Sequence, residues 1–248
     1  MSLATNDRHL EDWLIGLHWN IQSWHGSAGA SNLDAVAAVV RRTNPHVVSL
    51  VEVEESWGAP SALAELAGRC GYSWWFVPAF EYGSETPEGG FGNALLSRLP
   101  IFALQQWQLI WPPTHHDGTE PSEPRSVVLG KLGTGTYESL WVGSTHLPRD
   151  DADARARALG QLSTLVRGLS GKWIICGDFN TPASAWVDSA STLTVAPDPA
   201  LPTYPADDPV EPIDYCVASP GLRLEAEVLS DEGSDHRPVL FRCSLGEE

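Results

Sequence analysis

The stretch KWIICGDFNTP (residues 172–182) places four consecutive apolar residues directly before Gly177, Asp178 and Asn180. A short apolar run rich in aromatic and β-branched residues and bounded by glycine predicts a buried β-strand. The polar side chains that follow such a strand lie at the rim of its sheet. This segment therefore predicts a strand that carries chemically active groups at one end.

Polar residues of the same kind stand at or near the ends of other predicted strands. They are Asn20, Glu52, His146, Asp214, Asp235 and His236. Oxygen ligands of this type suit a hard divalent cation such as Mg²⁺. A single Asp or Asn at a strand end is usually a turn former or a helix cap. The size of this set in one chain favours a functional site instead.

The hydrophobic pattern predicts about ten strands and three helices. Strand-like runs cover residues 14–20, 46–54, 73–77, 93–96, 101–110, 126–132, 139–144, 173–176, 213–218, 222–229 and 238–243. The first helix is expected to be capped by Ser31 or Asn32, the second to open at Pro60 and the third to begin at Asp150 or Asp151.

The order of these elements predicts the fold class. Strands that arrive in adjacent pairs favour antiparallel sheets, and strands that are apolar on both faces need cover on both sides. We therefore expect an α/β sandwich of two packed, mostly antiparallel sheets flanked by helices. No linker is evident, so one domain over residues 1–248 is predicted.

Charge and cysteine content exclude several function classes. Fifteen Lys and Arg against 32 Asp and Glu leave a formal net charge of −17, which argues against tight non-specific DNA binding. A bound cation would still allow such a protein to bind a phosphate locally. The four cysteines show no CxxC spacing, and no apolar signal core or membrane span is present. A cytoplasmic monomer with no membrane association is expected.

Seven sequence elements, taken in order, resemble those of a known superfamily. They are Asn20, Glu52, GNALLSRLPI (92–101), STHL (144–147), GDFN (177–180), IDY (213–215) and SDHRPV (234–239). This order resembles the endonuclease/exonuclease/phosphatase superfamily of metal-dependent phosphoesterases, over residues 14–243. The resemblance implies a four-layered α/β sandwich.

The resemblance also implies a cation site and a nucleophile site. Glu52 would be the principal ligand of Mg²⁺, with Mn²⁺ as the alternative, and Asn20 and Asp235 would complete or support the shell. Asp178 would orient or deprotonate the attacking water. Asn180 would hold that water or a phosphate oxygen.

Further positions are implied on the phosphate side of the site. His236, oriented by Asp214, would stabilise negative charge as an imidazolium, and His146 would be a second histidine that acts as a general acid or hydrogen-bonding group. Asn93 and Arg125 resemble the phosphate-contacting positions of the family.

The predicted function is hydrolysis of a phosphodiester or phosphomonoester in a nucleotide, nucleic acid, lipid headgroup or sugar phosphate. Two alternatives stay open: a nuclease acting on short or single-stranded nucleic acid, and an inactive module that binds a phosphorylated ligand. The stretch EPIDYCV (211–217) differs from the PAWCDR-like element of inositol 5-phosphatases, which disfavours that substrate. Loops at 111–124 and 196–212 are expected to select the substrate.

Overall fold

Twelve strands and three α-helices build the described part of the chain. The computed structural model describes residues 13–26, 29–82, 88–109, 124–134, 139–186, 193–197 and 201–244. The strands are β1 (Trp13–Asn20), β2 (Val47–Ser56), β3 (Ser73–Tyr82), β4 (Gly89–Ser97), β5 (Ile101–Leu109), β6 (Arg125–Gly133), β7 (Ser139–His146), β8 (Lys172–Asp178), β9 (Thr194–Ala196), β10 (Asp214–Ala218), β11 (Leu224–Val228) and β12 (Val239–Ser244). The helices are α1 (Leu33–Thr43), α2 (Ala62–Cys70) and α3 (Ala152–Arg167), and 3-10 turns cover Gln22–Trp24 and Ala183–Trp186.

The strands form two sheets of six, each antiparallel except at its centre. Sheet one has the order β11-β12-β1-β2-β4-β3, and sheet two has the order β5-β6-β7-β8-β10-β9. The central pairs β1–β2 and β7–β8 are parallel. Parallel neighbours need a crossover connection, and α1 and α3 lie in those connections. The predicted sandwich of mostly antiparallel sheets is confirmed.

Three buried apolar cores separate the layers. Trp19 on β1 and Val36 on α1 belong to the core between sheet one and its helices. Leu95 on β4 and Ile174 on β8 belong to the core between the two sheets. Leu159 on α3 belongs to the core that covers the outer face of sheet two. The order helices, sheet, sheet, helix follows, and the prediction of one domain over residues 1–248 stays a prediction.

The side chains of β1 alternate between an apolar core and the polar residues between the sheets. Leu17 and Trp19 face the core under the helices, whereas His18 and Asn20 contact residues of sheet two. Strand side chains alternate between faces with a period of two. One strand therefore contributes both to a dry core and to a polar pocket between the sheets.

The predicted helix starts need two corrections. Asp151 caps α3 as predicted and accepts a bond from the Ala154 amide. The helix predicted to open at Pro60 begins at Ala62 instead, because Ser61 is its N-cap and accepts a bond from the Ala64 amide. Asn32 is the N-cap residue of α1 but makes no side-chain capping bond. Its amide nitrogen instead donates to the carbonyls of Ile21, His25 and Gly233. Asn32 thus ties the chain before α1 to the loop that carries His236.

Strands β3, β4, β7 and β8 extend further than the sequence pattern predicted, β10 and β11 are shorter, and the pattern missed β9. This strand has three residues and pairs with β10 alone, at the edge of sheet two. A strand that short leaves too little alternation to detect. Among the described residues, the helices are too short or too polar to span a membrane.

Candidate active site

Four of the predicted site residues meet at one edge of the sandwich. Asn20, His146 and Asp178 are the last residues of β1, β7 and β8. Asp214 begins β10, which runs antiparallel to β8, and it stands opposite Asp178 in the strand register. The strands therefore bring residues from four distant parts of the sequence to a shared edge.

Glu52 reaches this edge from within a strand, through an irregularity in β2. The register between β2 and β4 shifts between Leu50 and Val53, and Glu52 itself has φ = 54°. A left-handed conformation costs a non-glycine residue about 1–3 kcal/mol, and such bulges redirect side chains beside functional sites. The Glu52 carboxylate accepts a hydrogen bond from the Asn20 amide at 3.0 Å.

Asp178 lies at the centre of the pocket and is almost completely buried. Its Oδ2 is 3.1 Å from Asn20 Nδ2, 3.5 Å from His146 Nε2 and 3.7 Å from His236 Nε2. Its Oδ1 accepts the backbone amide of Asn180 at 3.0 Å. Burial raises the pKa of Asp178, and the neighbouring Asp214 charge raises it further. Asp178 is therefore a carboxylate whose affinity for a proton is unusually high.

His236 and Asp214 form a buried pair. The distance from His236 Nδ1 to Asp214 Oδ2 is 2.8 Å, and the same oxygen accepts a bond from Thr203 Oγ1 at 2.6 Å. Burial alone would lower the pKa of His236, but the Asp214 charge and hydrogen bond outweigh it and raise that pKa to about 10. Burial alone would raise the pKa of Asp214, but the His236 charge together with interactions from the His18 and His236 side chains lowers it. The pair is an imidazolium held by a carboxylate.

The pKa of His146 is shifted in the direction opposite to that of His236. Burial lowers its pKa well below the usual value, and the charges of Arg125 and His236 lower it further. Asn180 contacts His146 Nε2 at 3.1 Å and donates to the Leu147 carbonyl at 2.9 Å. A neutral imidazole in this position is a hydrogen-bonding group rather than a ready proton donor, which favours the second of its two predicted roles.

The two predicted phosphate-contacting residues lie in different surroundings. Arg125 is 7% exposed, and its Nη1 is 3.4 Å from His146 Nδ1, so it borders the pocket. Asn93 is buried on β4, and its amide nitrogen donates to the carbonyl oxygen of Ser126 at 2.8 Å and lies 3.2 Å from the Ser126 hydroxyl. In this conformation the Asn93 amide links the two sheets.

An oxygen-rich group next to Asp178 fits a divalent cation. Burial raises the pKa of Glu52, the Asn20 bond and the His236 charge lower it, and the Asp235 carboxylate raises it. Carboxylate oxygens are the ligands that a hard cation prefers, so both residues remain predicted ligands. Asn20 directs its amide nitrogen to Glu52 and its oxygen to the Gln22 amide, so here it supports Glu52 by hydrogen bonding.

Asp178, Asp214 and His236 also offer ligand atoms within 4.8 Å of one another. Within this trio, His236 Nδ1 lies 2.8 Å from Asp214 Oδ2 and His236 Nε2 lies 3.7 Å from Asp178 Oδ2. The assignment of Glu52 and Asp235 as cation ligands stays a prediction.

Sequence reasoning missed four residues that border the site. Thr203 bonds Asp214, and the ring of Tyr204 lies 4.6 Å from that of His236. Arg149 places its guanidinium 5.0 Å from the Tyr204 ring and donates to its hydroxyl at 3.1 Å. His18 lies 3.5 Å from Asp214. His18 shares the strand face of Asn20, so the period of two could have identified it.

The loops predicted to select the substrate are only partly described. The loop at 196–212 supplies Thr203 and Tyr204. The loop at 111–124 lies outside the described residues except for Pro124.

Comparison with known proteins agrees with the fold. The model of the Endonuclease/Exonuclease/phosphatase family matches residues 17–236. A search of curated protein sequences finds no match.

Several solved structures are similar over nearly the whole chain. An endonuclease/exonuclease/phosphatase family protein from Bacteroides thetaiotaomicron has 18% identity and a TM-score of 0.75, covering 94% of this chain and 98% of its own. The mannosyl-6-phosphatase of the same organism has 19% identity and a TM-score of 0.72, covering 93% and 99%. The human Nocturnin catalytic domain, solved with a bound sulfate anion, has 18% identity and a TM-score of 0.67, covering 94% of both chains.

Proposed function

The chain belongs to the endonuclease/exonuclease/phosphatase family, and from this membership and the geometry of its pocket we propose that it is a divalent-cation-dependent hydrolase of phosphoester bonds. The observation that carries the proposal is the convergence on Asp178 Oδ2 of Asn20 at 3.1 Å, His146 at 3.5 Å and His236 at 3.7 Å. Hydrogen-bonding groups around one buried carboxylate suit an anionic substrate and a water nucleophile held side by side.

Asp178 would accept the proton of the attacking water. A general base works best when its pKa approaches the working pH, and burial together with Asp214 raises the pKa of Asp178 in that direction. The Asn180 amide proton bonds Asp178 Oδ1 and leaves Oδ2 toward the pocket. The side chain of Asn180 would help to place the water or a phosphate oxygen.

His236 would bind the phosphate from the side opposite the cation. Asp214 holds Nδ1, so Nε2 points to the pocket with a proton to donate. A preorganised charged donor stabilises the negative charge that develops on phosphoryl oxygens. His146 and Arg125 would add hydrogen bonds on the same side, and Asn93 would act indirectly by joining the sheets.

Glu52 and Asp235, with Asn20 bonded to Glu52, would hold the cation. When bound, Mg²⁺ or Mn²⁺ supplies positive charge that polarises the phosphoryl group and stabilises the leaving oxygen. The same charge would offset the local concentration of carboxylates.

A small phosphoester is the proposed substrate, in preference to long nucleic acid. The net charge of −17 disfavours a polyanion, and one similar structure is a mannosyl-6-phosphatase. Arg149 and Tyr204 would contact the leaving group. The Tyr204 ring lies 4.6 Å from the His236 ring, and the Arg149 guanidinium lies 5.0 Å from the Tyr204 ring. A cytoplasmic location is proposed because the four cysteines are free and buried, as expected in a reducing compartment.

A substrate panel with a chelator control tests the proposal. Purified protein is assayed with a sugar phosphate, p-nitrophenyl phosphate, bis-p-nitrophenyl phosphate and a short single-stranded oligonucleotide. We expect turnover of a small ester that EDTA abolishes and Mg²⁺ restores. Glu52→Gln should lower the rate by at least the roughly 10- to 100-fold that is typical for loss of a residue supporting a metal ligand, whereas Glu227→Gln on the exposed side of β11 should not.

The other outcomes are equally informative. A chelator-insensitive rate, or an unchanged rate in Glu52→Gln, contradicts cation-dependent hydrolysis. Cleavage of the oligonucleotide alone would identify a nuclease. Calorimetric binding of phosphate ligands without turnover would identify an inactive binding module.

A further inference from the structure

His18 is a buried histidine to which the proposed mechanism assigns no role. It lies on β1 two residues before Asn20, with its side chain completely buried between the two sheets. Its Nδ1 is 2.9 Å from Ser49 Oγ on β2, which is 2.8 Å from Ser144 Oγ on β7. Its Nε2 faces Asp214 Oδ1 at 3.5 Å. A polar chain therefore crosses from sheet one to sheet two and ends at the carboxylate that orients His236.

The hydroxyl protons of this chain decide which ring nitrogen carries hydrogen. A serine has one hydrogen to donate, and a neutral imidazole has one N–H and one lone pair. The Ser144 hydroxyl has two acceptors within reach, Ser49 Oγ at 2.8 Å and the Leu50 carbonyl oxygen at 3.2 Å. If Ser144 donates to the nearer Ser49 and Ser49 donates to Nδ1, the ring hydrogen lies on Nε2 and points at Asp214. The reverse order puts the hydrogen on Nδ1 and turns a lone pair toward a buried carboxylate, which is unfavourable in a dry site.

Asp214 needs this partner. Its Oδ2 already accepts bonds from Thr203 and His236. Its Oδ1 is buried and has no hydrogen-bonding atom among the described residues within normal bonding distance, and the same holds for His18 Nε2. Buried polar atoms are rarely left without a partner, and these two face each other.

From these contacts we propose that His18 is a positioning residue for the phosphoester reaction. It holds Asp214 Oδ1, which fixes the plane of the carboxylate and through it the direction of the His236 ring. Asp214 thus lies between two imidazoles, one that faces the pocket and one that anchors it to sheet one. The inference rests on the proposed function, because His18 would act through Asp214 and His236. His18 itself would touch neither the substrate nor a cation.

Two amide substitutions separate this role from packing. The amide nitrogen of Gln reaches the position of the histidine Nε2, whereas that of Asn reaches only the position of Nδ1. We expect His18→Gln to keep kcat within about threefold and His18→Asn to lower kcat roughly 10- to 100-fold, as for loss of one bond to a buried charged group. KM should change little in both, since substrate contacts are kept.

A spectroscopic readout keeps the test independent of turnover. In ¹⁵N-edited NMR spectra, the signal of the His236 Nδ1 proton should remain sharp in His18→Gln and broaden in His18→Asn. In His18→Asn the Asp214 carboxylate loses the partner of its Oδ1, so it can change orientation and no longer holds the His236 proton in one hydrogen bond. If the protein hydrolyses no phosphoester at all, the proposed function fails, and this signal still decides the role of His18.

Other results would overturn the inference. Equal kcat values for the two variants, or an unchanged His236 signal in His18→Asn, would show that His18 contributes only to packing. If His18→Asn does not fold, Ser49→Ala serves instead. This change removes the hydroxyl bonded to His18 Nδ1, so the ring hydrogen is no longer fixed on Nε2. A roughly 3- to 10-fold loss of kcat in Ser49→Ala supports the role, and wild-type kcat contradicts it.

Discussion

Replacement of Asp178 by Asn separates catalysis from folding more sharply than any other change at the site. Asn keeps the shape of the side chain and resembles a protonated carboxyl group, but it cannot accept a proton from water. Loss of a general base typically costs about 10²- to 10⁴-fold in rate. We therefore expect kcat of Asp178→Asn to fall by that factor while KM changes little.

The same change should not weaken the fold. Asp178 is 1% exposed, and its raised pKa shows that burial and Asp214 disfavour the ionised form in the folded state. A neutral isostere removes that cost, which amounts to about 1.4 kcal/mol for each pKa unit. We expect the free energy of unfolding at pH 8 in EDTA to rise by about 1 kcal/mol or more, which shifts Tm upward by roughly 2–4 °C per kcal/mol.

Steady-state kinetics and thermal unfolding followed by circular dichroism measure both effects. Glu227→Gln, at an exposed position of β11, is the control and should change neither quantity. A lower Tm together with lower activity would assign the loss to damaged structure. A rate within tenfold of wild type would remove Asp178 from the role of base.

Three further changes test other parts of the structure. A sugar bisphosphate carries a second phosphate on the leaving group, where Arg149 would bind it. Arg149→Gln should therefore raise KM roughly 3- to 10-fold more for the bisphosphate than for the monophosphate, and Arg157→Gln on the exposed face of α3 is the control. Equal effects on both substrates would contradict a leaving-group contact. His46 accepts the Ile15 amide at 2.9 Å, and burial and then the Arg98 charge lower its pKa. The stability that neutral His46 contributes is complete above the unfolded-state pKa of about 6.5 and is lost as pH falls through the lower folded-state value, so wild type should lose stability relative to His46→Asn in acid; a difference independent of pH would refute this. Ser61→Ala should lower the free energy of unfolding by about 1 kcal/mol, measured by urea denaturation, without changing kcat.

The strand pattern was sufficient to predict the sandwich and several of the polar residues that meet at its edge. Hydrophobic runs are local properties, and polar groups such as Asn20, Asp178 and Asp214 stand next to those runs in the sequence. Residues at the ends of neighbouring strands must lie near one another once the strands pair. The family match over residues 17–236 confirms the resemblance that these elements suggested.

Details that depend on contacts across the sandwich could not be predicted in this way. Glu52 faces the pocket because β2 changes register, and a bulge leaves little trace in an apolar run. Asn32 binds the loop of His236 instead of capping α1, since a partner 201 residues away competes for its amide. Thr203 and Tyr204 lie on the loop between β9 and β10, whose position depends on backbone hydrogen bonds to the segment that carries His236, such as the bond from Arg237 to Thr203.

The sequence by itself determined which side chains stand at the strand ends, because the alternation of apolar and polar residues is a property of the chain alone. Only the tertiary structure decided the protonation of those side chains. The pKa values of Asp178, His146 and His236 move in different directions because burial and neighbouring charges act through space. Those neighbours, from His18 on β1 to Asp214 on β10, become neighbours only when the two sheets pack face to face.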